Sequence, residues 1–179
     1  TYHNPTLTPY WDVTAQLSYM ANERDSYYII YPPGAFKGTY PDGYIGAPGL
    51  ADRTFRLDTF AFYAGFQKHL IRIGAGYHDH DLYKVTYSAN YGINPATGKP
   101  LPPGSPVIDV SDTPYAFSKE VKRESQYLSL QDVWTLTNDW ELTAGIRYDD
   151  YSDFGSTVNP RFALLWQPSV DFTSKLLYG

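Results

Sequence analysis

The run His78-Asp79-His80-Asp81 is the part of the sequence whose residue types come closest to a metal site. In an extended strand alternate side chains share a face, so His78 and His80 would lie together as weak candidate ligands. Imidazole and carboxylate bind zinc or iron, yet all four residues are neighbours and no partner follows at a known metal-site spacing. A polar strand end entering a loop accounts for the run more simply, so we predict no metal site and no cofactor.

The same residues provide a weak hint of an enzyme. Asp79 or Asp81 beside a histidine could suggest a hydrolase, but no serine, histidine and acid can be placed together by geometry from the sequence. The chain has no cysteine, which excludes Cys-based zinc sites and disulfide bonds. We therefore predict a protein that is not an enzyme and has no catalytic residues.

A second set of candidate binding residues consists of tyrosines in a long, proline-containing connection. They are Tyr27, Tyr28, Tyr31, Tyr40 and Tyr44. Their rings could stack on an aromatic or chelating ligand, and loops longer than about 15 residues are usually functional or disordered. Packing of the loop against itself is the alternative. We favour that alternative, because a ligand pocket would draw on more loops than this chain supplies.

Composition indicates strands and argues against a nucleic-acid-binding protein. The 179 residues include 14 Lys+Arg against 19 Asp+Glu, with no basic cluster that would contact phosphates. Aromatic residues make up 17% of the chain, and 14 Gly and 14 Pro divide it into short pieces. Aromatic and β-branched side chains suit strands, while Gly and Pro mark turns. The composition predicts an all-β protein.

Two segments, Trp11–Met20 and Trp140–Asp149, alternate apolar and polar residues as a strand between two environments does. Further strands are predicted near residues 55–63, 71–78, 124–136, 161–166 and 172–178, about seven in all. We expect one set of apolar residues on an outer surface rather than packed against a second sheet: Val13, Leu17, Ile71, Ile73, Leu142, Ile146 and Leu164. Asp132 falls on the apolar face of its strand, which predicts a β-bulge there.

The predicted connections alternate in length along the chain. Long ones lie near residues 21–51, 79–123 and 150–159, and short ones near 65–68, 137–139 and 167–171. In an antiparallel sheet all long loops then lie at one end, as in transmembrane barrels with short periplasmic turns and long extracellular loops. The turn at 137–139 predicts a hairpin in which Trp134 faces Leu142 and Leu130 faces Ile146.

The four tryptophans lie next to the predicted short turns. They are Trp11, Trp134, Trp140 and Trp166, and we predict that they form a membrane girdle, because amphipathic rings favour the membrane interfaces. The core of a soluble sandwich is the alternative. Charged strand residues such as Arg72 are expected to point into a lumen, because a charge facing lipid costs about 2–4 kcal/mol near mid-membrane.

The C-terminal third carries two short motifs in succession. They are Gly145-x-Arg147-Tyr148-Asp149 and Asn159-Pro160-Arg161. Over roughly Tyr127–Gly179 the chain resembles the barrel wall of the TonB-dependent outer-membrane receptors, and Lys175–Gly179 resembles the strand that follows. Upstream, Lys68-His69 and Gly74-x-Gly76-Tyr77 fit the same family loosely.

This resemblance implies that residues 1–179 are part of a receptor β-barrel domain of 22 strands with a plugged lumen. It implies TonB-dependent uptake of a scarce ligand, such as a siderophore, cobalamin or haem, across the outer membrane of a Gram-negative bacterium. The implied partners are outer-membrane lipid, the receptor's own plug domain and a periplasmic TonB-type coupling protein. The chain starts at Thr1 without a signal peptide, so we expect it to be a piece of a longer protein that carries the plug.

Two other functions remain open at this point. A passive porin-like barrel would share the strands and loops but would have no plug domain. A soluble all-β carbohydrate-binding module would share the composition but would stay in solution without detergent.

Overall fold

The computed structural model describes residues 2–179, with side chains described from residue 9 onward. Within this range the chain forms ten strands: β1 Tyr2–Thr8, β2 Trp11–Asp25, β3 Tyr28–Tyr31, β4 Tyr44–Tyr63, β5 His69–Ala89, β6 Ile108–Asp109, β7 Val121–Thr135, β8 Trp140–Tyr151, β9 Gly155–Ser169 and β10 Phe172–Tyr178. No helix long and apolar enough to cross a membrane occurs in residues 2–179.

All ten strands belong to one sheet. The main path is β1-β2-β4-β5-β7-β8-β9-β10, with β3 beside β4 and β6 beside β5. Successive long strands are therefore neighbours, and the predicted all-β antiparallel meander is confirmed.

Contacts divide the chain into two compact units. Unit 1 contains Thr1–Tyr19, Thr54–Asp79 and Arg123–Gly179, and unit 2 contains Met20–Arg53 and His80–Lys122. Unit 1 thus holds the short turns and all four tryptophans, whereas unit 2 holds the two longest connections.

The short turns lie where the sequence predicts them. β4 and β5 are separated by residues 64–68, β7 and β8 by 136–139, and β9 and β10 by 170–171. Across the β7–β8 hairpin Trp134 pairs with Leu142 and Leu130 with Ile146, so the predicted register is confirmed. The backbone N–H of Leu136 donates to the Trp140 carbonyl at 3.0 Å and closes the turn.

The predicted bulge at Asp132 is wrong. Pairing between β7 and β8 runs without a shift from Ser125↔Tyr151 to Thr135↔Glu141, and Asp132 lies opposite Ala144. The carboxylate stays on the apolar face because it has a partner there, His69, at 2.7 Å.

The predicted long loop at residues 150–159 is also wrong. β8 and β9 remain paired as far as Tyr151↔Gly155, which leaves only residues 152–154 as the connection. Gly155 adopts a φ of 85°, a conformation that favours glycine. The side chain of Ser152 also accepts the backbone N–H of Glu124 at 3.0 Å, which ties the turn to β7. Residues of types that are common in loops therefore form strand here, because the backbone groups of these residues hydrogen-bond to neighbouring strands.

The two long connections in unit 2 contain strands of their own. β5 continues to Ala89, and β6 returns beside it with Ser88 opposite Asp109. Ala89 and Val110 are fully buried at this point, each 0% exposed. The amide of the buried Asn90 accepts the N–H of Ile45 at 2.8 Å and donates to the Gly43 carbonyl at 2.7 Å. These contacts give a defined structure to parts of the connections that the sequence suggests are irregular.

The apolar faces of the strands stay open in residues 9–179. Leu17, Ile73 and Ile146 are 61%, 44% and 49% exposed, and the other four residues of the predicted outer set are half-buried. Because all strands belong to one sheet, none of the seven packs against a second sheet, as predicted.

Candidate functional site

The polar face of unit 1 carries a connected group of side chains around Asp58. His78 Nε2 lies 3.0 Å from Asp58 Oδ1, and the Tyr127 hydroxyl donates to the same oxygen at 2.8 Å. The imidazole of His78 thus contacts Asp58. The other weak candidate ligand, His80, belongs to unit 2 and interacts with other groups. Residues 9–179, whose side chains are described, contain no group of three or more His, Cys, Asp or Glu that could hold a metal ion.

The first family-like motif continues this group. Arg147 Nε donates to both oxygens of Asp149 at 2.8 and 2.9 Å, and the guanidinium lies 3.7 Å from the centre of the Tyr127 ring. Asp149 is only 6% exposed, so its charge depends on these donors. Asn159, from the second motif, adds an amide donor at 3.4 Å. Two motifs that are ten residues apart in sequence therefore meet on adjacent strands.

The other motif residues serve the strand pairing. Gly145 lies opposite Arg161 and Pro160 opposite Ile146 across the β8–β9 pair. The remaining residue of the first motif, Tyr148, is 42% exposed. Alternation along β8 places Tyr148 on the opposite face from Arg147 and Asp149.

Aromatic rings line the short-turn end of unit 1. Trp140 and Trp166 pair across β8 and β9 and stack at 5.5 Å with an interplanar angle of 16°. Trp11 contacts Tyr63 at 4.8 Å, and Trp134 stacks on the His69 imidazole at 5.2 Å. Each of the four tryptophans lies within three residues of a strand end and remains partly exposed. The membrane girdle that the sequence suggests for these four rings stays a prediction.

A family model described as TonB dependent receptor-like, beta-barrel matches residues 1–179. The chain belongs to the TonB-dependent receptor family. The match extends the resemblance seen over Tyr127–Gly179 to the whole chain. This family consists of outer-membrane receptors and transporters of Gram-negative bacteria and not of enzymes. Comparison with curated proteins finds no match.

The five candidate tyrosines of this receptor segment divide into two groups. Tyr31, Tyr40 and Tyr44 pack together around Phe36, with ring centres 4.9 to 6.4 Å apart. By contrast, Tyr27 and Tyr28 are 61% and 56% exposed. Packing of the loop against itself therefore accounts for three of the five candidate tyrosines.

Sequence reasoning missed two members of this aromatic cluster, Phe36 and Tyr91. Tyr91 stacks on Tyr44 at 3.7 Å with an interplanar angle of 14°. Its pKa is raised because burial disfavours the phenolate and because its hydroxyl bonds to that of Tyr87. No signal in the sequence joins Tyr44 to Tyr91, which come from different connections.

Proposed function

We propose that this chain is part of the barrel wall of a receptor that imports a scarce ligand across the bacterial outer membrane. The family match over residues 1–179 carries the proposal. The single sheet, with open apolar faces and a hydrogen-bonded polar face, supports it. A siderophore, cobalamin or haem is the class of ligand, and a TonB-type coupling protein supplies the energy.

The two faces of the sheet suit two different partners. Lipid contacts the apolar set, and the four tryptophans lie at the membrane interface as its girdle. A plug domain contributed by another part of the receptor covers the polar face around Asp58, Arg147 and Asp149. The coupling protein reaches the plug and not this part of the wall.

The connections in unit 2 face the medium and include the ligand contacts. Tyr27 and Tyr28 present exposed rings that can stack on an aromatic or chelating ligand, whereas Tyr31, Tyr40 and Tyr44 pack against one another. Functional residues are concentrated on such loops because a rigid scaffold positions them.

Uptake measurements test the proposed function. A strain without other receptors, expressing the intact receptor that contains this chain, is given ferric siderophore, cobalamin or haem as its sole source. We expect growth on one class of ligand and loss of that growth when the coupling protein is deleted. Growth that persists without the coupling protein would indicate a passive porin. Recovery of the receptor in solution without detergent would indicate a soluble module.

Shortening the second connection tests its part in uptake. Residues 92–118 are replaced by a short Gly-Ser turn, which keeps β5 and β7 intact. We expect uptake to be abolished while the receptor remains inserted, because closure entropy changes slowly with loop length. The control is a receptor that keeps its full-length connection and carries an epitope after the exposed Thr97. An antibody should label this epitope on intact cells. Unchanged uptake at normal surface levels would show that this connection does not take part.

A further inference from the structure

A small cavity of about 180 Å³ opens on the polar face of unit 1 across β5, β7, β8 and β9. Its polar lining consists of hydrogen-bonding side chains without a carboxylate: Arg72, Ser129, Gln131, Arg147, Asn159 and Arg161. Three of these six side chains are arginines, whose guanidinium groups are donors only. The cavity is therefore cationic in a chain whose formal net charge is −5.

Strand register explains why the arginines share one cavity. Gly145 lies between Gln131 on β7 and Arg161 on β9, and Arg147 lies between Ser129 and Asn159 one step along the same face. Because Gly145 has no side chain, the space above it stays open. The glycine of the first family-like motif thus forms the floor of the cavity.

Two of the three positive charges have no acidic partner in the part of the chain whose side chains are described. Arg147 is held by Asp149. The guanidinium of Arg72 lies instead 4.2 Å from the centre of the Phe60 ring, and no carboxylate oxygen lies within 4 Å of Arg72 or Arg161 in residues 9–179. Arg72 and Arg161 are therefore uncompensated among the side chains of residues 9–179.

We propose that this cavity binds a carboxylate group between Arg72 and Arg161, with the Gln131 and Asn159 amides as further donors. Guanidinium groups match a carboxylate by two parallel hydrogen bonds, and amide donors can take up its remaining lone pairs. The carboxylate comes either from another segment of the receptor's own polypeptide or from a small molecule in the lumen. The inference depends on the geometry of the cavity and not on which ligand the receptor imports.

Zero-length cross-linking distinguishes the two sources. In the intact receptor, Arg161→Lys places an amine at the cavity, and a carbodiimide activates any carboxylate beside it so that an amide bond forms with loss of water. Mass spectrometry then identifies the joined peptides. Thr143→Lys is the matched control, because it adds an amine to the same face of β8 without lining the cavity. A cross-link at residue 161, at least tenfold above the control, to a carboxylate outside residues 2–179 identifies the receptor's own polypeptide.

Citrate serves as the probe for a small-molecule source. Thermal unfolding of the unmodified receptor is compared in sodium citrate and in sodium chloride at equal ionic strength, because a ligand that binds the native state raises the unfolding temperature. A citrate-specific rise that is lost in Arg72→Gln and Arg161→Gln indicates a free carboxylate. If residue 161 cross-links only to carboxylates within residues 2–179 and no citrate effect is found, or if neither a cross-link nor a citrate effect is found, the proposal is wrong. Loss of uptake with the cross-link intact would count only against the proposed import function.

Discussion

The Asp132 carboxylate lies 2.7 Å from Nδ1 of His69, on the face of β7 that also carries Leu130 and Trp134. The Trp134 ring stacks on the same imidazole. A polar pair thus lies on an otherwise apolar surface, close to the short turns, where the cost of a charge facing lipid is smallest. The pair explains why the strand tolerates an acidic residue without a bulge.

Replacing both members of this pair should not destabilise the receptor. We expect His69→Leu with Asp132→Leu to be at least as stable as the unmodified protein, because apolar side chains replace an ion pair on an apolar face. His69→Leu alone should cost about 1 kcal/mol by leaving the carboxylate without its partner. Urea unfolding in lipid vesicles, followed by tryptophan fluorescence, measures both. A double variant less stable than the unmodified protein would contradict this view.

Gly76 should not tolerate a methyl group. A Cβ at this position would lie 2.2 Å from the Tyr127 ring and 2.7 Å from Asp58 Oδ1. Gly76→Ala should therefore displace both side chains and lower the free energy of unfolding by about 1–3 kcal/mol. Gly145→Ala is the matched control, because its nearest contacts would be at 3.4 Å. Equal losses in the two variants would show that the crowding at Gly76 is unimportant.

Adding a side chain at Gly155 should be costly because of the backbone conformation there and not because space is lacking. Its φ is 85°, and nothing lies within 4 Å of a Cβ added there. Gly155→Ala should cost about 1 kcal/mol, because the left-handed region disfavours a Cβ. Gly155→Asn should cost less, since asparagine tolerates this region. The same urea unfolding assay compares them, and equal stability of the two variants would argue that φ is not the cause.

The docking of β6 onto β5 should weaken in acid. Hydrogen bonds from the hydroxyl and the backbone N–H of Ser111 hold the pKa of Asp109 below its ordinary value. The Ser111 side chain also accepts the N–H of Tyr87 at 2.8 Å. Because the folded pKa is depressed, the stabilisation is complete above the unfolded value of about 3.9 and is lost as the pH falls through the folded pKa.

Hydrogen exchange in the peptide around Tyr87 tests this pH dependence. Protection in the unmodified receptor should exceed that in Asp109→Asn near pH 7. This difference should begin to shrink below about pH 4 and disappear once the pH is below the folded pKa of Asp109. Comparing the proteins at the same pH cancels the chemical exchange rate. A difference that does not shrink as the pH is lowered below about pH 4 would mean that the charge of Asp109 does not stabilise the connection.

The strand framework could be predicted because alternation with a period of two is a local property. Trp140–Asp149 places its apolar and polar side chains on opposite faces whatever lies beside it. A short turn then leaves one register that keeps the apolar faces together, which is why the pairing of Trp134 with Leu142 followed from the sequence. The four tryptophans could be located at one end for the same reason.

Residues 150–159 show where local reasoning fails. Their Asp, Ser, Gly and Asn content is typical of a loop, yet they extend β8 and β9 up to a three-residue turn. Pairing along both strands compensates for poor intrinsic strand propensity. The bulge predicted at Asp132 failed similarly, because its partner His69 is 63 residues away.

By itself, the sequence determined the all-β class, the faces of the strands and the family-like motifs, because these depend on neighbours one to ten residues apart. Only the tertiary structure decided which polar side chains meet. The contact of His78 with Asp58 spans 20 residues, and that of Tyr127 with Asp58 spans 69. The cavity between Arg72 and Arg161 requires the relative register of four strands. Register across several strands is a collective outcome of packing and hydrogen bonding, and no single segment of the sequence encodes it.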